Sequence, residues 1–198
     1  MRTIEIKIEG ITPLLCNGFT DERQQQSTNG TSATYAADRG TPQEQASAKL
    51  YRGIDGKTLV IPQPNLLSCI IAAGKYFKAG KTKVTTIKSS IIPSCVDIEG
   101  VEIPIEHEER WTVDTRPVRI PSTGGRILAH RPIFNDWALE FTVNLDTEII
   151  SVRLFREIVD AAGKRIGLGD FRPDCKGPFG KFVVTRWLEV AEELKEVA

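Results

Sequence analysis

The first segment of the chain alternates apolar and polar residues with a period of two. Ile4, Ile6 and Ile8 are separated by polar side chains, which is the pattern of a β-strand with one buried face. Pro13 then interrupts the alternation. The pattern predicts an N-terminal strand that residues 14–16 extend beyond a bulge.

A helix pattern follows a short apolar run in the middle of the chain. Residues 58–62 (TLVIP) predict a strand, and Pro64 suits the first turn of a helix. Apolar side chains recur at three- and four-residue spacing over residues 65–77, which predicts a helix with one buried face. Residues 90–96 (SIIPSCV) are rich in strand-forming residues and predict another strand.

The C-terminal third contains the most regular patterns. Residues 139–145 alternate as a strand, and Ser151 can cap a helix over residues 152–162, whose C-terminus we expect at Gly163. A last strand is predicted over residues 181–187, and the acidic tail after it has a helical pattern.

The patterns together predict one α+β domain over residues 1–198. Two strand–helix units around an antiparallel sheet indicate a ferredoxin-like or RRM-like core. Residues 17–48 interrupt it with small and polar amino acids and few large apolar side chains. This composition predicts a long flexible insertion, because such a segment has little apolar surface to bury.

The charges of the chain balance, since 26 Lys and Arg face 26 Asp and Glu. Any nucleic-acid site must therefore arise from charges that are sorted onto one surface. No stretch approaches the roughly 18–20 apolar residues of a transmembrane helix, and the N-terminus lacks a signal-peptide pattern. We therefore expect a cytoplasmic protein of a bacterial host cell, without a membrane partner.

The cysteines and histidines argue against metal sites. No CxxC pair is present and the two histidines lie far apart, so neither a zinc site nor a disulfide framework is indicated. We expect no metal and no other cofactor. The four cysteines are expected to be free and mostly buried: Cys16, Cys69, Cys95 and Cys175.

Positive charge is nevertheless concentrated in two segments. Residues 75–88 contain five lysines and no acidic residue, which fits either a solvated loop or a phosphate-contacting one. Residues 110–132 contain five arginines around a Gly-Gly turn, and their prolines predict a basic β-hairpin that projects from the sheet edge. The candidate binding residues are Lys75, Lys78, Lys81 and Lys83 in the first segment and Arg116, Arg119, Arg126 and Arg131 in the second.

A glycine-rich stretch connects the last predicted helix to the last strand. Residues 165–182 (RIGLGDFRPDCKGPFGKF) match neither a P-loop nor a dinucleotide-binding motif. The glycines allow either a close approach of backbone N–H groups to phosphate or a tight packing turn with positive φ. Asp170 and Asp174 are expected to pair with basic residues of the same loop. The candidate binding residues are Lys164, Arg165, Gly167, Gly169, Phe171, Arg172, Lys176, Gly177, Phe179 and Gly180.

This loop resembles the glycine-rich loop of the RAMP superfamily of CRISPR-associated proteins, which precedes the last strand of an RRM-like fold. Residues 60–73 (VIPQPNLLSCIIAA) are similar to a strand-and-helix segment of the superfamily's backbone subunits, and residues 10–15 (GITPLL) resemble its opening strand. Gln63 and Pro64 stand where backbone subunits have Gly and Ser. The whole chain also resembles uncharacterised proteins of bacteriophages and prophages.

The resemblance implies a non-catalytic protein that binds single-stranded RNA or DNA and oligomerises along the strand as a filament. The strand would cross the sheet, the hairpin would act as a thumb between nucleotides, and Tyr76, Phe171 and Phe179 would stack on bases. Two alternatives stay open. One is a phage structural or host-interaction protein with a protein partner. The other is a metal-independent ribonuclease, for which His130 is the candidate acid or base.

Overall fold

The computed structural model describes residues 1–18, 40–119 and 124–190. Most of the predicted insertion, the tip of the predicted hairpin and the tail after residue 190 lie outside these ranges. The helices are α1 (Pro42–Ser47), α2 (Gln63–Ala73), α3 (Ile92–Cys95) and α4 (Val152–Ala161). The strands are β1 (Arg2–Gly10), β2 (Leu14–Leu15), β3 (Val60–Pro62), β4 (Lys78–Ala79), β5 (Thr82–Lys83), β6 (Val96–Ile98), β7 (Glu102–Glu106), β8 (Thr112–Arg119), β9 (Arg126–Phe134), β10 (Ala138–Leu145) and β11 (Phe182–Val190).

The main sheet is antiparallel and has the order β11-β1-β10-β7-β3, and β6 also pairs with β10. A turn at Gly100, whose φ is +79°, separates β6 from β7, so the two segments act as one interrupted strand beside β10. With α2 and α4 as the two connecting helices, this order is that of a ferredoxin-like core. The predicted α+β class is confirmed.

The core lies between the main sheet and the two long helices. Ile4, Ile6 and Ile8 are fully buried, as their alternation predicts. The hydroxyl of Ser151 accepts a hydrogen bond from the Leu154 N–H, which caps α4 at the predicted residue. Burial of one aliphatic side chain, such as that of Ile6, contributes about 1.5–3 kcal/mol to the stability of the fold. The helices supply the other side of the core through Leu66, Cys69, Ile70, Phe155, Ile158 and Val159.

Two local predictions are wrong. Residues 92–95 form the short helix α3 instead of a strand, and this helix buries Ile92 and Cys95 on one side. Helix α4 does not end at Gly163, because the chain continues as a π-helical turn to Ile166. The change of direction comes at Gly167, whose φ is +77°. Gly163 instead lies so close to the Phe182 carbonyl that a Cβ atom would overlap it.

The end of the predicted flexible insertion is also ordered. Residues 42–47 form α1, which begins with a capping box: the Thr41 hydroxyl accepts from the Glu44 N–H, and the Glu44 carboxylate accepts from the Thr41 N–H at 2.7 Å. The last part of the predicted flexible segment is therefore helical. Residues 19–39 lie outside the described ranges.

The predicted basic hairpin consists of β8 and β9, which leave the main sheet between β7 and β10. The two strands pair from Thr112 and Ile133 to Arg119 and Arg126. Strand β2 pairs with the base of β9, which makes a separate three-stranded sheet. Pro132 lies within β9 although proline has no N–H to donate. Its carbonyl still accepts a hydrogen bond from the Cys16 N–H.

Candidate nucleic-acid interface

The glycine-rich loop contacts both basic segments of the chain. Asp170 accepts a hydrogen bond from Arg131 in β9 at 2.6 Å. Asp174 accepts one from Lys75, at the end of α2, at 2.9 Å. The two carboxylates are thus paired, but with residues outside their own loop, which corrects the expected pairing. The loop therefore connects the base of the hairpin to the end of α2.

Arg131 is buried at the base of the hairpin and is 5% exposed. Its guanidinium lies 2.6 Å from Asp170 and 3.9 Å from Asp114. A guanidinium that is buried between two carboxylates is not available to a phosphate. The prediction that Arg131 contacts nucleic acid is therefore replaced by a structural role, which is to hold the hairpin against the loop.

Arg116 combines a charge with an aromatic surface. Its guanidinium lies 4.8 Å from the centre of the Phe179 ring, and its Nε lies 2.8 Å from Asp114 Oδ2. The hydrogen bond to Asp114 raises the pKa of Arg116 above its ordinary value, so the cation is retained at any working pH. Phe179 packs against Phe171, a residue that is 37% exposed. Arg116 therefore covers the ring of a residue that is only 9% exposed, and Phe171 is the exposed ring of the pair, which suits base stacking on a single strand.

A second group of the same kind lies at the end of α2. Tyr76 is 45% exposed, and its ring centre lies 4.7 Å from the Arg165 guanidinium and 5.3 Å from the Lys75 ammonium. Arg165 comes from the π-helical turn after α4, so the fold brings together residues that are far apart in sequence. The hydrogen bond to Asp174 raises the pKa of Lys75 and keeps it charged.

Two exposed pairs of like charge extend from these groups. Lys78 and Lys83 are directly opposite each other in the β4–β5 hairpin. Arg119 and Arg126 are directly opposite each other at the outer end of the described part of β8 and β9. Directly opposed like charges destabilise a strand pair, so an anion between them would be stabilising. We call the cations and rings of these groups, together with the neighbouring Lys81, Lys164 and Lys176, the basic rim. Its members, which are exposed except for the half-buried Arg116, are Lys75, Tyr76, Lys78, Lys81, Lys83, Arg116, Arg119, Arg126, Lys164, Arg165, Phe171 and Lys176.

The loop glycines serve the packing of the protein itself. Gly169 and Gly180 have φ values of +74° and +69°, and a Cβ atom would overlap the carbonyl of Leu15 or Leu168, respectively. Of the two interpretations of this loop, the packing turn agrees with these contacts and the phosphate cradle does not. The loop N–H groups that donate to protein carbonyls include those of Gly167, Leu168, Asp170, Cys175, Lys176, Gly177, Phe179 and Gly180. Arg172 likewise donates to the Gly169 carbonyl at 3.0 Å.

The open face of the main sheet does not resemble a nucleic-acid platform. Lys7 pairs with Glu106 at 2.6 Å, and Arg186 pairs with Glu140. The aromatic side chains of β10 and β11 are directed to the core or packed on α4: Phe141, Phe182 and Trp187. RRM-type recognition uses aromatic rings on this face. The expectation that a strand crosses the sheet is therefore not supported by the residues found there.

His130 belongs to the strand pair of the hairpin. Its Nδ1 lies 2.8 Å from the Thr115 hydroxyl, directly across the two strands, and its carbonyl accepts a hydrogen bond from Lys49. These contacts are those of a packed strand residue. In the described part of the chain, no group of three or more His, Cys, Asp or Glu side chains is placed to hold a metal ion.

A cleft of about 250 Å³ lies between α2 and the glycine-rich loop. Cys16, Ile61 and Cys69 line it with apolar surface, and the loop contributes residues 167–170. Its polar lining includes three residues that the sequence reasoning missed: Tyr51, Asn65 and Ser68. The sequence holds a signal for two of them, because Asn65 and Ser68 are polar residues three positions apart in a helix that is apolar apart from them and Gln63.

The four cysteines are free, as predicted, and only Cys175 is exposed. Burial raises the pKa of Cys16 and Cys69 to about 12 and that of Cys95 to about 11. Because the thiolate is the reactive form, we expect Cys175 alone to react rapidly with Ellman's reagent near pH 8. The folded protein should release one equivalent of thionitrobenzoate and the unfolded protein four. A second fast equivalent from the folded chain would contradict these buried positions.

The fold and the rim define a class: an α+β protein with a ferredoxin-like core and a basic hairpin. In the described ranges, no helix is both long and apolar enough to cross a membrane. No family model matches the chain, and no curated protein matches its sequence.

One of the solved structures that match is similar over nearly the whole of this chain. A chain of the type III-B Cmr-beta complex, solved by cryo-electron microscopy with cognate target RNA bound, is similar with a TM-score of 0.55 and 9% sequence identity. The match covers 96% of this chain and 60% of that chain, so this protein spans less than two thirds of the length of the Cmr-beta chain. At this identity, the likeness shows a common fold.

Proposed function

We propose that the protein is a non-catalytic binder of single-stranded nucleic acid, and that the strand lies along the basic rim. The observation that carries this proposal is the joining of both basic segments to one loop, through Arg131–Asp170 on one side and Lys75–Asp174 on the other. The chain has zero net charge. The two ion pairs nevertheless keep the exposed cations of both basic segments on either side of one loop.

The chemistry of the rim supports a single strand as its partner. Single strands are bound by cations that follow the phosphates and by aromatic rings that stack on bases. Phe171 is exposed and packs on Phe179, which Arg116 covers, and Tyr76 is exposed beside Arg165 and Lys75. The rim therefore offers both kinds of group, whereas the open face of the sheet offers mainly paired charges.

RNA is the partner that we propose first. The predicted resemblance to RAMP proteins and the common fold with a chain of an RNA-bound complex both support this choice. Oligomerisation along the strand and an origin in a phage or prophage remain predictions from the sequence. The path that we propose follows the loop and the two hairpins instead of crossing the sheet.

The direct test is fluorescence anisotropy with labelled single-stranded RNA and DNA over a range of salt concentrations, with light scattering on the same samples. If the rim neutralises about five phosphates, the slope of log K against log salt should be about −3.5. Large complexes that grow with strand length would support a filament. Absence of binding at low salt would contradict the proposal and leave a protein partner as the alternative.

The hairpin arginines provide a more specific test. We expect the double variant Arg119→Ala, Arg126→Ala to bind every sequence more weakly, with a salt slope that is less steep by about 1.4, because two phosphate contacts are lost. The matched control is Arg2→Ala, Arg153→Ala, which removes the same charge from exposed positions. Arg2 is the first residue of β1, and Gly10, at the other end of this strand, is where β1 approaches the loop. An unchanged affinity of the hairpin variant would remove the hairpin from the site.

A further inference from the structure

The cleft between α2 and the glycine-rich loop has an apolar floor. Ile61 and Cys69 are 2% and 4% exposed, and Cys16 is 1% exposed. The Cys69 thiol donates to the Gly167 carbonyl at 3.2 Å, so it is already satisfied within the protein. Burial keeps both thiols neutral, since it raises the pKa of each to about 12. Such a floor suits the flat face of an uncharged ring.

The opening of the cleft carries uncharged polar groups. Asn65 and Ser68 are exposed on α2, three residues apart, and Tyr51 lines the cleft with them. An asparagine amide presents one donor and one acceptor together, which matches the donor and acceptor pattern on the edge of a nucleobase. The tyrosine ring offers a surface on which a base can stack.

Phosphate fits this cleft less well than a base. Asp170 lines the cleft and its carboxylate would repel an anion. Among the described residues of the lining, Arg172 supplies the guanidinium, and this group already donates to the Gly169 carbonyl at 3.0 Å. The N–H groups of Leu168 and Asp170 also donate to protein carbonyls, so the loop backbone provides no cradle for phosphate here.

We propose that the cleft accepts one base of the bound strand, turned out of its stack, while the neighbouring phosphates contact the basic rim. This inference rests on the proposed function and adds to it a position at which the identity of a base is read. The geometry supports it because one loop supplies both sites: Gly169 and Asp170 line the cleft, and Phe171 follows directly in the rim. The amide of Asn65 is the group that would discriminate between bases.

The test compares short RNAs of equal length, one with bases throughout and one with abasic ribose sites, at fixed salt. The wild-type protein should bind the complete strand about tenfold more tightly, as expected for the loss of a stacked base. Asn65→Leu removes the amide with little change in volume, so it should lose the part of this difference that comes from hydrogen bonding to the base, with an unchanged salt slope. Gln63→Leu, in the same helix but outside the cleft lining, is the control. Equal binding of both strands by the wild-type protein would overturn the inference.

A second readout separates this inference from the proposed function. Saturation-transfer NMR with the four free nucleosides detects a base site without any phosphate contact. Transfer to a base that is lost in Asn65→Leu and retained in Gln63→Leu would support the cleft, even if anisotropy showed no strand binding. Salt-dependent strand binding that is equal for complete and abasic RNA, with no nucleoside signal, would overturn the base site and leave only the phosphate contacts of the basic rim in place.

Discussion

Replacing Gly180 by alanine is expected to lower the free energy of unfolding by roughly 2–5 kcal/mol. Two costs add at this position. The backbone has a φ of +69°, which an L side chain adopts with strain, and the new Cβ would overlap the Leu168 carbonyl. Because the Gly180 carbonyl also accepts from the Leu168 N–H and its own N–H donates to the Pro13 carbonyl, the loop cannot move away without breaking these bonds. Urea-induced unfolding followed by circular dichroism measures the difference.

Gly80 provides the matched control for this prediction. Its φ of +60° is similar, but nothing lies within 4 Å of a Cβ placed there. Gly80→Ala should therefore cost only the backbone term, about 1 kcal/mol. The difference between the two variants isolates the close approach within the loop. Equal and small losses would show that the loop can relax around a side chain and would contradict the close packing described above.

Replacing Arg131 by alanine is the second change with a large expected effect, a loss of about 3–5 kcal/mol in the free energy of unfolding. Removal of the guanidinium leaves Asp170 without its ion-pair partner, while Asp114, whose side chain is 10% exposed, keeps Arg116. A buried charge without a partner is costly because the interior solvates it poorly. The hairpin and the loop should both become accessible to protease in this variant.

Arg126 lies in the same strand and gives the comparison for that result. It is exposed and lies at the outer end of the hairpin, so Arg126→Ala should change the free energy of unfolding by less than about 0.5 kcal/mol. Arg131→Ala with a stability equal to that of Arg126→Ala would show that the ion pair with Asp170 does not hold the hairpin. The two arginines look equivalent in the sequence, and only their burial separates them.

The regular elements were predictable because their signals are local. The alternation around Ile6 and the cap at Ser151 each depend on a few neighbouring residues. Residues 92–95 form a helix although their side chains favour a strand, because packing of Ile92 and Cys95 into the core decides the conformation. Gly163 was a plausible cap, yet its contact with the Phe182 carbonyl requires a glycine within a continuing helical turn.

The candidate site was predictable in its parts but not in its assembly. The two basic segments and the glycine-rich loop are visible as composition. The partners of Asp170 and Asp174 lie 39 and 99 residues away, and no local pattern indicates them. Asn65 and Ser68 also become candidates only when the loop is placed opposite to α2.

The sequence by itself determined the class of fold, the absence of a disulfide framework among its cysteines and the concentration of charge in two segments, since these follow from periodicity, spacing and composition. The tertiary structure alone decided which charges are available to a ligand. Arg131 and Arg116 are both arginines of one hairpin, but the first is buried between two carboxylates and the second covers an aromatic ring near the surface. The physical reason is that the exposure of a charge depends on contacts between distant segments, which local sequence does not encode.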